Sequence, residues 1–69
     1  MKIGIIGCGL IGWKRALSIK SNQIHSVCDI DISKAQKLAK TINCNFTDNY
    51  NDITNNDDID AVIVSTPNY

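Results

Sequence analysis

Three observations predict that the sequence forms an α/β fold with part of a doubly wound parallel sheet. A short apolar run near the N-terminus leads directly into Gly7-x-Gly9-x-x-Gly12. A second apolar run ends at Asp29, and a third, β-branched run follows a stretch with helical periodicity. Strands that alternate with helices form parallel sheets, because each parallel connection needs a crossover. Right-handed crossovers then give the strand order 3-2-1-4.

The first strand and helix flank the glycine-rich segment. A strand is expected over residues 2–6 because this run is nearly all apolar, as in strands buried on both faces of a parallel sheet. A helix is expected over residues 11–20, and Ser21-Asn22 then forms a turn. The apolar residues expected on the packed side of this helix are Ile11, Ala16, Leu17 and Ile19. Trp13 is expected to pack against a neighbouring element.

The second strand and helix form a similar unit. The strand is expected over residues 23–29, and Asp31 or Ser33 can cap the helix that follows it. Asn43 is expected to end this helix in the left-handed conformation. The apolar positions recur at three- and four-residue spacing: Ala35, Leu38, Ala39 and Ile42.

The last third of the chain is expected to contain a short third strand and a β-branched fourth strand. Residues 45–47 suit a strand, and a weak helical segment is expected over residues 50–53. The β-branched run over residues 60–65 stops before Pro67, which cannot continue a strand. We expect this fourth strand to leave an exposed apolar edge.

The glycine triplet predicts a dinucleotide-binding turn. Gly7 permits the tight turn after the strand, Gly9 lets the backbone approach a pyrophosphate, and Gly12 lets the helix pack closely on the sheet. A triplet alone also occurs in strand-to-helix turns that bind nothing, but here a strand precedes it and a helix follows. Gly12-Trp13-Lys14 lacks the Gly-Lys-Ser/Thr of a P-loop, which argues against that class.

Asp29 predicts the choice of dinucleotide. A carboxylate at the end of the second strand can accept hydrogen bonds from the adenosine ribose hydroxyls, each contributing about 1.5–3 kcal/mol. A 2′-phosphate would meet a like charge there, and the next residue is Ile30 rather than Arg or Lys. NAD is therefore expected in preference to NADP. The topological switch point between the first and fourth strands places the ligand between residues 7–12 and 65–68.

Composition limits the other functions. Seven basic and seven acidic residues balance, so nothing in the charge favours a nucleic acid or a membrane surface as partner. Cys8, Cys28 and Cys44 show no metal-ligand or disulfide spacing and are expected to be structural thiols in a reducing compartment, the cytoplasm. His25 has no nucleophile near it in sequence. We therefore expect neither a catalytic residue nor a metal site.

Four segments together indicate a family. They are residues 2–12, Val27-Cys-Asp-Ile-Asp31, Ala35-x-x-Leu-Ala39 and Asp60-Ala-Val-Ile-Val-Ser-Thr-Pro-Asn68. This set resembles the Gfo/Idh/MocA family of glucose-fructose oxidoreductases, inositol dehydrogenases and rhizopine-catabolism enzymes. The glycine motif is shared by many Rossmann proteins, whereas the Thr-Pro-Asn segment after the fourth strand is much more specific.

The resemblance implies an NAD(P)-dependent oxidoreductase acting on a sugar, inositol or related polyol, from a homo-oligomeric parent. It assigns Gly7, Gly9, Leu10, Ile11 and Gly12 to the pyrophosphate, Asp29 to the adenosine ribose, and Thr66, Pro67 and Asn68 to the nicotinamide-side ribose.

The family's Glu-Lys-Pro motif and its substrate-binding Asp and His have no counterpart in this sequence. Residues 1–69 are thus expected to be the N-terminal part of a dinucleotide-binding Rossmann domain, without the rest of that domain or the substrate domain. By this interpretation the 69 residues alone bind a dinucleotide weakly and catalyse nothing. The alternatives are an NAD-binding regulatory module of the potassium-transport type and a non-functional gene remnant.

Overall fold

Strands and helices alternate along the chain in the computed structural model, which describes residues 1–65. The strands are β1 (Ile3–Ile6), β2 (Ile24–Cys28), β3 (Asn45–Thr47) and β4 (Ala61–Val64). The helices are α1 (Leu10–Ser18), α2 (Ile32–Ile42) and α3 (Asn51–Thr54). The sheet order is β3-β2-β1-β4, and all three strand pairs are parallel. The predicted fold class and strand order are confirmed.

The element ends differ from the prediction by one or two residues, as helix and strand boundaries commonly do. The first helix ends at Ser18 rather than at residue 20, because Ile19 already has extended backbone. Gln23 belongs to a short 3₁₀ turn, Ser21–Gln23, in which its N–H donates to the Lys20 carbonyl at 2.9 Å. The second strand therefore begins at Ile24.

The main core lies between one face of the sheet and helices α1 and α2. Ile5 and Val27 of neighbouring strands pack with Ala16 of α1 and Leu38 of α2. Trp13 and Ile19 pack at the margin of this core, as expected. The expectation for Ile11 and Leu17 was wrong, because both are exposed, Leu17 by 63%. The small residues Gly12 and Ala16 face the sheet instead, so α1 lies close to it.

Both ends of α2 are stabilised as predicted. Asp31 is the N-cap, and its side chain accepts from the Ser33 N–H at 3.1 Å. Hydrogen bonds from the Ser33 side chain and backbone lower the pKa of the Asp31 carboxyl. Asn43 ends the helix with φ 59°, in the left-handed region, and its N–H donates to the Ala39 carbonyl.

Helix α3 and the residues that follow it cover part of the other face of the sheet. A Cβ built on Gly4 would lie 2.5 Å from Ile53 Cγ2 and 3.2 Å from Ile59 Cδ1, so this segment packs directly on β1. Val62 and Val64 of β4 are on the same face, since they pair with Gly4 and Ile6. Both are exposed, Val64 by 65%. Within residues 1–65, β4 pairs with β1 alone and forms the predicted apolar edge.

Candidate functional site

The glycine-rich turn lies where the carboxyl ends of β1 and β2 meet. Gly7 has φ 103°, a backbone conformation that glycine adopts at little cost and other residues rarely adopt. Its N–H donates to the carbonyl of Cys28, the last residue of β2, at 2.7 Å. Cys8 Sγ donates to the same carbonyl at 3.3 Å. The turn is therefore anchored to the end of the neighbouring strand.

Gly12 lies where α1 passes closest to this turn. A Cβ at Gly12 would overlap the Gly7 carbonyl oxygen, far inside van der Waals contact. Any larger residue would push the helix away from the strand that precedes it. The close packing predicted for Gly12 is thus present in the structure.

Gly9, in contrast, faces open space. A Cβ built there would meet nothing within 4 Å. Gly9 is the N-cap of α1 but offers no side chain, and the first intrahelical bond runs from the Trp13 N–H to the Gly9 carbonyl at 2.9 Å. The preceding N–H groups of the first turn have no partner within the helix. No acidic residue lies in that first turn, so the positive end of the helix dipole there suits an anion.

Asp29 directly follows β2 and reaches the turn. Its Oδ2 accepts from the Cys8 N–H at 2.9 Å, and its Oδ1 accepts from the Asp31 N–H at 2.9 Å. The Asp29 N–H itself donates to the Thr47 carbonyl on β3 at 3.2 Å. Asp31, not Asp29, caps α2. The carboxylate of Asp29 therefore stands beside the glycine turn, half-buried, with lone pairs left for a further donor.

The three cysteine thiols stay protonated at neutral pH. Burial raises the pKa of Cys8 to about 12, and the Asp29 carboxylate adds to the increase. Burial also raises the pKa of Cys28, and it raises that of Cys44 to about 11. Since a thiol without thiolate character is a poor nucleophile, these cysteines serve packing rather than covalent chemistry.

The end of β4 completes the site at the switch point. The Ser65 N–H donates to the Ile6 carbonyl at 2.7 Å, which holds the end of β4 beside the glycine turn. A Cβ at Gly12 would lie 3.9 Å from Ser65 Cβ. Ser65 Oγ is buried and has no hydrogen-bond partner within the described chain. The predicted site residues Thr66, Pro67 and Asn68 lie outside the described residues.

Sequence reasoning missed one contact, the hydrogen bond between the Cys8 N–H and Asp29. The signal was present, because in parallel strands the residues after two neighbouring carboxyl ends lie close together. His25, which was given no role, contacts Ser26 Oγ through Nδ1 at 3.2 Å, away from the turn. Among residues 1–65 no cluster of His, Cys, Asp or Glu has the arrangement of a metal site.

Among the described helices, none has the length and apolar character that a membrane span requires.

Leu10 and Ile11, the other two residues assigned to the pyrophosphate, form the exposed first turn of α1. The structure thus brings Gly7, Gly9, Leu10, Ile11, Gly12 and Asp29 together at one edge of the sheet.

Two curated proteins resemble this chain. It is 47% identical over 47 residues, 62% of its length, to L-aspartate dehydrogenase of Methanosarcina mazei. It is 30% identical over 71 aligned positions, 97% of its length, to dTDP-3,4-didehydro-2,6-dideoxy-alpha-D-glucose 3-reductase of Saccharopolyspora spinosa. The chain spans 17% and 21% of the lengths of these relatives.

Solved structures share the fold over nearly the whole chain. Myo-inositol dehydrogenase from Corynebacterium glutamicum superposes with a TM-score of 0.84 at 27% identity, over 97% of this chain and 21% of that one. Myo-inositol dehydrogenase from Lactobacillus casei, solved with NAD(H) and myo-inositol, gives 0.83 at 25% identity, over 96% and 21%. GenD2 from gentamicin A biosynthesis, solved with NAD, gives 0.88 at 21% identity over 97% and 20%, which shows the fold alone.

A family profile matches the chain from end to end. Its description is "Oxidoreductase family, NAD-binding Rossmann fold", and the match runs over residues 1–69. This match gives no support to the alternative of a potassium-transport regulatory module. The glycine turn, the adjacent carboxylate and the strand order are the features that such a fold requires. The chain therefore belongs to the Gfo/Idh/MocA oxidoreductase family, as part of its NAD-binding Rossmann domain.

Proposed function

We propose that this chain binds NAD through its glycine turn and serves as the N-terminal part of an oxidoreductase acting on a sugar, inositol or related polyol. In this proposal the rest of the Rossmann domain, the substrate domain and the catalytic groups belong to the parent protein beyond residues 1–69. The intact protein is proposed to be a cytoplasmic homo-oligomer. Bound NAD supplies the hydride acceptor; the residues of this chain hold and orient it.

One observation carries the NAD site: the uncapped N-terminus of α1 beside the open space at Gly9. The other long helix, α2, has its first N–H groups served by Asp31, whereas α1 offers its own to an outside acceptor. A pyrophosphate fits this need, because its oxygens accept several N–H bonds and its charge matches the dipole. The open space at Gly9 allows the approach that a side chain would block.

The choice of NAD over NADP rests in this proposal on Asp29. Its carboxylate oxygens are fixed by the Cys8 and Asp31 N–H groups and retain lone pairs for ribose hydroxyls. A 2′-phosphate at about 4 Å would be repelled by roughly 4 kcal/mol per unit charge at an effective dielectric near 20. Ile30, the next residue, is 90% exposed and carries no positive charge to offset that repulsion.

The substrate class is supported by the relatives. The reductase that matches 97% of this chain acts on a nucleotide-linked sugar by its name, and the two dehydrogenases of similar fold act on myo-inositol. L-aspartate dehydrogenase, which matches a shorter part, supports an amino acid as the second candidate. The residues that would separate these substrates belong to the substrate domain.

Calorimetry on the intact protein tests the cofactor site. We expect NAD to bind more tightly than NADP, and Gly9→Val to abolish binding of both. The matched control is Asn22→Val, because Asn22 is exposed and precedes the amino end of β2, away from the glycine turn. This variant should bind NAD normally. Near-native NAD affinity in Gly9→Val would place the site elsewhere.

A separate assay tests the substrate class. We expect NADH formation from myo-inositol, a free sugar or a nucleotide-linked sugar, and none from L-aspartate. Turnover of L-aspartate alone would overturn the polyol assignment and leave the cofactor site intact.

A further inference from the structure

The contact between Asp29 and the Cys8 N–H gives Asp29 a second task. Cys8 is the residue between Gly7 and Gly9, and only 2% of its surface is exposed. Its N–H is therefore withheld from solvent and needs an acceptor within the protein. Asp29 Oδ2 supplies it at 2.9 Å.

This bond fixes the orientation of the turn. Gly7, with φ 103°, has the most permissive backbone in the segment, so the peptide between Gly7 and Cys8 needs an external restraint to keep one orientation. The Cys28 carbonyl accepts from the Gly7 N–H, and the side chain of the adjacent Asp29 accepts from the Cys8 N–H. The segment that follows begins at Gly9, where a Cβ would meet nothing within 4 Å, and leads into the uncapped first turn of α1.

We propose that Asp29 is a positioning residue for the phosphate-binding turn, acting through the Cys8 N–H, in addition to contacting the ribose. The proposal rests on the proposed function. It makes the affinity for phosphate groups depend on Asp29 even in ligands that lack ribose hydroxyls.

Electrostatics alone predicts the opposite change in phosphate affinity when Asp29 is removed. Removal of a carboxylate beside the turn lowers the local negative charge, so binding of any phosphate ligand would tighten. Loss of the bond to Cys8 leaves a buried donor unpaired and releases the turn, so binding would weaken. The direction of the change therefore separates the two effects.

The test compares ADP with 2′,3′-dideoxy-ADP, which has the same phosphates and no ribose hydroxyls. Calorimetry on the intact protein should show that Asp29→Ala lowers the affinity for dideoxy-ADP by about tenfold, because a buried donor is left unpaired. The affinity for ADP should fall further, since ADP also loses its hydroxyl contacts with Asp29. Asp29→Asn keeps an oxygen that can accept from Cys8 and should restore part of the dideoxy-ADP affinity.

Asp31→Ala is the matched control for charge. It removes a carboxylate two residues away that serves Ser33 and not the turn, so dideoxy-ADP binding should stay within about twofold of wild type. Unchanged or tighter binding of dideoxy-ADP to Asp29→Ala would show that Asp29 acts through the ribose alone and would overturn the proposal.

A ligand-free measurement keeps this proposal separate from the NAD assignment. Amide hydrogen exchange at Cys8, followed by NMR without ligand, should be about tenfold faster in Asp29→Ala and unchanged in Asp31→Ala. Exchange at Cys8 that does not depend on Asp29 contradicts the positioning role. If the wild-type protein binds neither ADP nor NAD but this exchange depends on Asp29, the contact stands and the proposed function fails.

Discussion

Gly9 and Gly12 belong to the same turn, yet a methyl group would meet open space at one and a carbonyl oxygen at the other. We expect Gly12→Ala to lower the free energy of unfolding by about 3 kcal/mol or more, because the clash is with backbone that cannot rotate away. Gly9→Val should lower it by no more than about 1 kcal/mol, the cost of replacing an N-cap glycine, while abolishing cofactor binding.

Urea denaturation and calorimetry of the two variants measure this difference. A Gly12→Ala protein as stable as wild type would mean that α1 leaves the turn at a different angle from the one described.

The pair Asp29 and Ile30 offers a change of cofactor preference. Asp29→Ser with Ile30→Arg removes the repulsion of a 2′-phosphate and adds a cation at a fully accessible position. We expect the ratio of kcat/KM for NADP to that for NAD to rise by at least about tenfold. This change corresponds to about 1.4 kcal/mol of relative free energy. The kcat/KM for NAD should fall, because the ribose loses the carboxylate and the Cys8 N–H loses its acceptor.

Ile30→Arg alone is the control, since it adds the cation and keeps the carboxylate. An unchanged ratio in the double variant would remove Asp29 from the specificity argument.

How far the site could be predicted is clear from individual residues. The glycine spacing and the carboxylate after β2 were sufficient to predict Gly7, Gly12 and Asp29 in one place, because neighbouring parallel strands have their carboxyl ends on the same side of the sheet. The parallel strands place Cys8 and Asp29 near each other, but the choice of the Cys8 N–H as donor depends on the exact relative position of two separate loops, which the sequence does not give. The contact with Cys28 depends on the same tertiary register.

At the scale of elements, Asp31 shows how one side chain ties helix formation to pH. The folded-state pKa of Asp31 is lowered from its ordinary value of 3.8 by hydrogen bonds from Ser33. The ionised form is thus favoured by folding, and its contribution to stability is complete above the ordinary pKa. That contribution is lost as the pH falls through the lower folded-state value.

Asp31→Ala should therefore reduce the melting temperature at pH 7 and have little effect at the acid end of this range. Thermal melts followed by circular dichroism from pH 7 to below the ordinary pKa of Asp31, 3.8, measure the difference between the two proteins. Asp48→Ala, at an exposed turn position, is the matched control. An equal reduction of the melting temperature at pH 7 and at the acid end of the range would contradict the capping role of Asp31.

The elements themselves were predictable to different degrees. In α2, apolar spacing and both caps agree with one another, so its bounds and buried face follow from the sequence. In α1, apolar residues surround the helix, and periodicity alone cannot choose the packed side. The choice is made by Gly12 and Ala16, whose small size lets the helix approach the sheet and leaves Leu17 outside.

At the scale of the whole molecule, the two faces of the sheet are unequally covered. Helices α1 and α2 cover one face, whereas on the other the short α3 leaves Val62 and Val64 of the edge strand exposed. A chain of 69 residues also buries only about 60% of its unfolded surface, so its stability is marginal. An exposed apolar edge strand favours pairing with another chain.

The 69-residue polypeptide expressed alone should therefore self-associate, and Val64→Lys should shift it toward monomer. Leu17→Lys is the matched control, since Leu17 is equally exposed but lies on a helix rather than on a sheet edge. Sedimentation velocity over a range of concentrations measures the shift. A wild-type polypeptide that stays monomeric throughout, with a sharp cooperative melt, would contradict this expectation.

The bare N-terminus of α1 means that NAD would act as the missing cap of that helix. Without NAD, the first turn of α1 relies on water and should fray more readily than the first turn of α2. At an NAD concentration of 100 times Kd, binding adds about 2.7 kcal/mol to stability. Hydrogen exchange should therefore slow most at Leu10, Ile11 and Gly12, and little at Ser33 and Lys34. Equal slowing of hydrogen exchange at the first turns of α1 and α2 would mean that NAD stabilises the whole fold and does not cap α1.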